Sequence, residues 1–390
     1  MKPSGSPDLA LIVSDTPCTA AGVFTKNKLP GAPVVVAKRH LRRNGVRAIV
    51  CNSGIANDAT GQEGIDNAVA TTRIVARQLG CDHRSVLPSS TGVIGPQLPM
   101  DKIENGIDAI APKLASGAKA NAAAARAIMT TDLVPKSGHR EVTIGRKKVH
   151  IGGIAKGSGM IAPNMATMLV FITTDAAIDT VMLKRCLKNA VNTSFNRISV
   201  DQHTSPSDMV IVLANGEAGN RTITKDGAPY RAFSEALTDL CQDLAYQIVK
   251  DGEGATKIIR VRIRGARSIR DADRVGKAIV DSPLVKTAVH GEDPNWGRIV
   301  TAAGYSGAAI SPDRMSLHIG DPKKGSGDIC VFRKGQPINT DTKSIRVSNR
   351  LMKQKEVVFT IDIGLGKADA DWLGCDLSRQ YITINADYTT

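Results

Sequence analysis

The chain has 390 residues, with 36 glycines, 3% aromatic residues, and 51 Lys/Arg against 37 Asp/Glu, for a net charge of +14. No run of about 18 apolar residues occurs, which excludes a helical membrane span, and no secretory leader pattern opens the chain. Seven scattered cysteines without a CxxC pair argue for reduced thiols rather than a disulfide framework. The expectation is therefore a soluble, cytoplasmic protein without a membrane partner.

The basic surplus is uneven. Residues 1–166 carry 21 Lys/Arg against 11 Asp/Glu, and the remainder 30 against 26. Such a balance suits nucleic acid, a membrane surface or an anionic metabolite. The densest basic stretch, Lys257–Arg264, alternates apolar and basic residues. That period places Arg260, Arg262 and Arg264 on one face of a strand and Ile259, Val261 and Ile263 on the other. It reads as a solvated strand face. Without interleaved aromatics or a recognition motif, nucleic acid is not an expected partner.

In chain order, Leu9–Val13, Pro33–Ala37 and Ala48–Cys51 are predicted as buried strands. Ile65 to Leu79 carries apolar residues at helical spacing, with Gly80 as the cap. Asn121–Met129 is Ala-rich and predicted helical. Leu183, Leu187 and Val191 form a helical stripe after a cap at Asp179. Phe233, Leu237, Leu240, Leu244 and Ile248 form a longer one. Strands follow at Met209–Leu213, Ile258–Ile263 and Val357–Ile361. Blocks of strands and helices alternate without repeats or an obvious linker, so a mixed layered α/β or α+β fold is expected.

The most unusual segment runs from Gly152 to Ile172. A glycine-rich run containing Lys156 leads through Pro163-Asn164 into an apolar strand that starts at Thr167. It is not a phosphate loop, because the lysine precedes Gly157 and a strand follows. One reading is a plain turn into a core strand. The other is chemical. A hydroxyl at the head of a buried strand, after a strained turn, can attack the Ala166 carbonyl. An N→O shift and hydrolysis then free Thr167 as a new amino terminus. Its α-amine can serve as base for its own hydroxyl, which makes Thr167 an acyl carrier.

These residues sit in a chain that resembles the glutamate N-acetyltransferases, also called ornithine acetyltransferases, the bifunctional arginine biosynthesis proteins. The blocks that carry the resemblance span nearly the whole sequence. They include Ser90-Thr-Gly-Val-Ile-Gly95, Ala127-Ile-Met-Thr-Thr-Asp132, Lys156-Gly-Ser-Gly-Met160, Asn164-Met-Ala-Thr-Met-Leu169, Asp251-Gly-Glu-Gly-Ala-Thr-Lys257, Asp293-Pro-Asn-Trp-Gly-Arg298 and Tyr388-Thr-Thr390. The resemblance implies a layered fold like that of the N-terminal-nucleophile hydrolases. It implies self-cleavage between Ala166 and Thr167, giving an α chain of 1–166 and a β chain of 167–390 that stay intertwined in one globular unit. Two copies of each would form an α2β2 heterotetramer. Thr167 would carry an acetyl group from N-acetylornithine to glutamate, with Thr91 and Gly92 as the oxyanion hole. Substrate contacts implied by the resemblance are Thr130 (with Thr131 as the adjoining alternative), Lys156, Thr167, Glu253, Asn385 and Thr390. A cation such as Lys156 suits a carboxylate, and an anion such as Glu253 suits an amine.

No cofactor is expected. Some family members also accept acetyl-coenzyme A, which stands as a candidate co-substrate. His290, Glu292 and Asp293 are too tightly spaced for a defined ligand set, so no metal is expected, and a hydrogen-bonded loop fixed by Trp296 is the reading there. The sequence departs from the family pattern at Ile55, where asparagine is usual, and at Gln202-His203 and Pro206, where Gly-Asp and Thr are usual. The competing enzyme class is an N-terminal-nucleophile aminopeptidase or amidohydrolase. The competing non-enzyme class is a basic binding protein.

Overall fold

The computed structural model describes Lys2 and residues 5–162, 168–321 and 327–387. The chain runs β1 (Leu9–Phe24), α1 (Ala32–His40), β2 (Val46–Asn52), α2 (Gly61–Leu79), β3 (Val86–Ser90), α3 (Met100–Ile110), α4 (Ala118–Ala127), β4 (Lys136–Ile144), β5 (Lys147–Lys156), β6 (Leu169–Thr174), α5 (Thr180–Asn192), β7 (Ile198–Ser199), β8 (Met209–Ala214) and α6 (Ala228–Lys250). It continues with β9 (Ile258–Ala266), α7 (Ile269–Asp281), α8 (Pro283–His290), α9 (Trp296–Gly304), β10 (Ser316–Gly320), β11 (Gly327–Arg333), β12 (Gln336–Pro337), α10 (Thr342–Met352), β13 (Glu356–Asp362), β14 (Ala368–Cys375) and α11 (Arg379–Asp387). This is the mixed α/β class expected.

The described residues form two compact units. One holds those up to Asn196 together with His203–Ile248. The other holds Arg197–Gln202 and those from Val249 onward. There is no linker to read in the sequence, because one change of unit falls inside α6.

The first unit is built on a sheet of order β3-β2-β1-β8-β6-β5-β4. Alternate residues of β2 and β3 supply two cores. Ile49, Cys51 and Leu87 pack with Val34 of α1 and Ala125 of α4. Ala48, Val50 and Val86 pack with Val75 of α2 and Ile103 of α3. The sheet is thus covered on both faces, as strand alternation requires. At the other end, Gly138 and Gly153 leave β4 and β5 bare of side chains. A Cβ on Gly153 would stand 3.1 Å from Leu244, and one on Gly138 2.6 Å from Leu240. The two glycines admit the apolar stripe of α6.

Two of these pairings matter for the site. β6 lies between β5 and β8, antiparallel to the first and parallel to the second. The expected cut before Thr167 therefore precedes, in the sequence, a strand held between two hydrogen-bonded neighbours. The cut residues, Ala166 and Thr167, lie outside the described residues.

The second unit carries a sheet of order β12-β11-β10-β13-β9-β14-β7. Its covered face packs against α7, α8, α9 and α10 through Val261, Ile263, Val275, Ile279, Val289, Ala302 and Leu351. On the other face of β9, Arg260 and Arg264 meet acids of the neighbouring strands. Arg260 Nε is 2.6 Å from Glu356, and Arg264 2.6 Å from Asp371. The predicted basic face is therefore neutralised within the sheet.

The predicted strand Pro33–Ala37 is helical and lies in α1. Pro33 stands in the first turn, where its missing N–H is no loss and its fixed φ suits a helix. Lys38, Arg39 and His40 occupy the last turn, where cations favour the helix dipole. Three consecutive valines signalled a strand, but burial of Val34 and Val36 against the sheet decides the conformation. The other predicted helices and strands are present, with Asp179 accepting from the Met182 N–H at 2.8 Å and Gly80 capping α2 at φ 62°.

Gly276 of α7 lies against the ring of Trp372, where a Cβ would come within 2.2 Å of the indole. Gly276→Ala should therefore lower stability by about 1–3 kcal/mol through overpacking, despite the better helix propensity of alanine. Urea unfolding checks this, and an unchanged midpoint would show that the α7–β14 contact yields freely.

Candidate active site

β3 delivers Ser90 to its buried end, and the chain then turns through Thr91 and Gly92. Ser90 donates its hydroxyl to Asn52 Oδ1 at 2.5 Å, and Asn52 Nδ2 donates to the Ile55 carbonyl at 2.7 Å. The Thr91 N–H donates to the Asn52 carbonyl at 2.9 Å, and the Val93 N–H to that of Gly54 at 3.2 Å. The two loops cross so closely that a Cβ on Gly92 would stand 2.4 Å from the Gly54 oxygen, and its φ is +125°. Only glycine fits. Ile55, the departure from the family pattern, needs only its backbone here. The Gly92 N–H has no partner among the described residues.

Lys156 ends β5 and is almost wholly buried, with its ammonium 3.3 Å from Thr91 Oγ1. By donating to that oxygen it leaves the Thr91 proton to donate elsewhere. Burial lowers the Lys156 pKa, and the Asp132 carboxylate opposes the shift.

Asp132 ties this corner together. It is fully buried, and its Oδ1 accepts from the Lys136 ammonium at 2.6 Å and from the Gly157 N–H at 2.7 Å. Its Oδ2 accepts from the Thr130 N–H at 3.0 Å. Burial alone would raise its pKa, but the ammonium groups of Lys156 and Lys136 outweigh burial and hold the carboxyl below the usual value. One carboxylate thus places Thr130, the start of β4 and the exit from β5.

In the second unit, Glu253 is buried in the turn after α6. Asn385 of α11 donates its Nδ2 to Glu253 Oε2 at 2.9 Å and to the Tyr381 carbonyl at 3.0 Å. Ser378 donates to the Gly254 carbonyl at 2.6 Å, and a Cβ on Gly254 would meet the Tyr381 nitrogen at 2.5 Å. The C-terminal helix is therefore docked on the Glu253 turn. Burial, with the carboxylates of Asp201 and Glu253, pushes the Tyr381 phenol up. The expected contact Thr390 lies outside the described residues.

His290 is the last residue of α8 rather than part of a loop, and its Nδ1 pairs with Asp376 at 2.7 Å. Trp296 begins α9 and stacks on Phe332. Glu292 pairs with Lys257 at 2.8 Å. No group of three or more His, Cys, Asp or Glu side chains among the described residues could hold a metal ion.

A family model described as the ArgJ family matches residues 1–390. The chain belongs to the ArgJ family. The arginine biosynthesis bifunctional protein ArgJ of Symbiobacterium thermophilum is 46% identical over 387 residues, covering 99% of this chain and 93% of its own length. The protein of the same name from Thermotoga neapolitana is 47% identical over 385 residues, covering 98% and 95%. The crystal structure of the arginine biosynthesis bifunctional protein argJ from Bacillus halodurans matches with a TM-score of 0.52 at 38% identity, covering 56% of this chain and 98% of that chain. This ArgJ family member is an acetyltransferase of arginine biosynthesis, and the hydrolase alternative is not favoured.

Sequence reasoning missed Asp132 and Lys136 as the frame of the ArgJ site. Asp132 closes a block that was noticed for Thr130, but nothing local marks its bonds to Gly157 or Lys136. A second buried carboxyl was also missed. Asp58 lies in the loop before α2, accepts from Ser207 Oγ at 2.6 Å and is pushed by burial up to about 6.

Two outcomes follow from these carboxyls. Asp132→Asn leaves the Lys136 ammonium buried without a counter-charge and should cost about 3–5 kcal/mol in urea unfolding. The double variant with Lys136→Met should recover most of that loss, and a single-variant cost below about 1 kcal/mol would rule out the hub role. Asp58 holds its proton more tightly folded than unfolded, where it titrates near 3.8. Its contribution to stability is full below about pH 4 and is lost as pH rises through about 6. Asp58→Asn should therefore gain on the parent between pH 4 and pH 7.5 by on the order of 3 kcal/mol. A constant difference across that range would contradict the assignment.

Proposed function

We propose that this acetyltransferase moves the acetyl group of N-acetylornithine to glutamate through an acetyl-Thr167 intermediate, after cleaving itself between Ala166 and Thr167. The observation that carries the reading is the Lys156–Thr91–Gly92 arrangement. A buried ammonium donates to the Thr91 oxygen, which leaves the hydroxyl proton free to donate beside a Gly92 N–H that has no partner among the described residues. Two such donors suit the oxyanion that forms in each half of a ping-pong transfer. Dividing one transfer into two steps on a hydroxyl is the gain of covalent catalysis.

The free α-amine of Thr167 acts as base for its own hydroxyl. Lys156 and the half-buried Thr130 take the α-carboxylate of the substrate, and Glu253, aligned by Asn385, takes an amine. Thr390 is the further substrate contact that the family resemblance implies. The reaction needs no cofactor. Acetyl-coenzyme A is a candidate second donor, in keeping with relatives named as bifunctional. We further propose that the α and β chains remain together as an α2β2 assembly in the cytoplasm. The position of β6 between β5 and β8 supports retention of both fragments after the cut. No helix among the described residues is long and apolar enough to cross a membrane.

Thr167→Ala should yield one species near 41 kDa on a denaturing gel, where the parent gives two. In the parent, ornithine release from N-acetylornithine should depend on glutamate, and Thr91→Val should lower kcat by about 10²–10³-fold. Release that ignores glutamate would replace transfer by hydrolysis.

A further inference from the structure

Asp208 is the last residue before β8. It is 3% exposed, and neither carboxyl oxygen has a hydrogen bond. Buried polar atoms without partners are rare enough that each one calls for a use. The surroundings narrow what that use is. β8 runs parallel to β6 with Met209 opposite Leu169, and the Met209 N–H donates to the Met168 carbonyl at 3.1 Å. Asp208 therefore lies alongside Met168, the residue bonded directly to Thr167. Just after β1, Thr25 donates its N–H to the Asp208 carbonyl at 3.0 Å.

Four influences act on the carboxyl. Burial is the largest and raises its pKa well above the ordinary value. The Met168 N–H and the Lys156 ammonium oppose that rise without closing a hydrogen bond on either oxygen. Asp58, whose Oδ1 is also unpartnered, adds to it from the loop before α2. Ser207 ties the pair together, because it precedes Asp208 and donates to Asp58 Oδ2 at 2.6 Å. Lys156 is already held by Thr91 and Asp132, so it is not a dedicated counter-ion for Asp208.

We propose that Asp208 is the acid that drives the self-cleavage at Ala166–Thr167. The assignment rests on the autocleavage reading above and extends it to a residue outside the transfer machinery. Thr167 Oγ bonds to the Ala166 carbonyl carbon and gives up its proton. As the C–N bond breaks, the Asp208 carboxylic acid delivers a proton to the Thr167 nitrogen, and its carboxylate recovers the one released by Oγ. Asp208 ends as it began. Water then adds to the ester, releasing the Ala166 carboxylate and the Thr167 hydroxyl. Burial of such a carboxyl serves this step because it keeps a transferable proton on a residue alongside Met168, the sequence neighbour of Thr167.

The test uses the full chain made by cell-free synthesis, moved as precursor into buffers between pH 5 and 9. Loss of the precursor is followed on denaturing gels for the parent, Asp208→Asn and Thr167→Ala. Asparagine matches the neutral acid in size and polarity, so circular dichroism and melting should match the parent. We expect Asp208→Asn to cleave at least about 10²-fold more slowly, and the parent rate to fall towards high pH as Asp208 loses its proton. A folded Asp208→Asn precursor that cleaves within threefold of the parent would overturn the assignment alone. Should that variant fail to fold, a parent rate that is flat or rising from pH 5 to 9 would overturn it equally. A parent precursor that never cleaves, like Thr167→Ala, would remove the autocleavage reading and this role with it.

Discussion

The active-site corner depends on one buried carboxylate. Asp132 takes an ammonium, two backbone N–H groups and the field of a second ammonium, with no solvent to share the load. In a medium of low dielectric, such a group is either fully partnered or very costly. Here it is fully partnered, so its bonds determine geometry. They fix the start of β4 through Lys136, the exit from β5 through Gly157, and the chain after α4 through Thr130. Lys156 can point at Thr91 because the carboxylate nearby keeps its charge tolerable in a buried position. Without Asp132, Lys156 would lose the largest influence that opposes burial, and the ammonium that orients the Thr91 hydroxyl would be harder to keep charged.

Close backbone approach is the second constraint, and glycine answers it on both sides of the chemistry. Gly92 lets the turn after β3 cross the loop at Gly54, while Gly254 lets α11 settle on the Glu253 turn. In each case the functional side chain is adjacent in sequence to the glycine that makes room for it. The glycine-rich run before Thr167 has a related use. Gly153 belongs to β5 and makes space for α6, so part of that run serves packing rather than a loop.

Much of this was legible in the sequence, for identifiable reasons. Long apolar stripes at helical spacing, as in α2 and α6, report burial directly. The alternation in β9 gave the right faces, but not that Glu356 and Asp371 neutralise the arginines, because those partners arrive from distant strands. Pro33–Ala37 failed because local β propensity is weak beside burial against a sheet. Asp132, Lys136 and Asp208 escaped notice for one shared reason. A lone acid or lysine carries no periodicity, and what makes it consequential is a partner, or the lack of one, set by topology. The family blocks located Thr91, Gly92 and Lys156, yet only the fold brings the Lys156 ammonium onto Thr91. Gln202, where the family prefers glycine, adopts φ +67° and donates its amide to the Asp281 carbonyl. The departure keeps the left-handed turn and offsets its strain with a side-chain bond.

The same unit holds three buried carboxyls in opposite states, and the contrast explains how one small region can serve two reactions. Asp132 is saturated with donors and held ionised, which suits a permanent frame for the transfer site. Asp58 has one donor and is pushed up to about 6. Asp208 has no hydrogen bond closed on either oxygen, and burial raises it well above the ordinary value. Environments that drive like groups apart in pKa are how a single fold separates fixed charge from transferable protons. Lys156 acts on both Asp132 and Asp208, so the ammonium that orients the oxyanion donors also limits how strongly Asp208 retains its proton. Maturation and turnover would then draw on one electrostatic arrangement. On this view, a change at Lys156 would disturb the cut before any substrate is bound, and a change at Asp208 would leave a mature site intact.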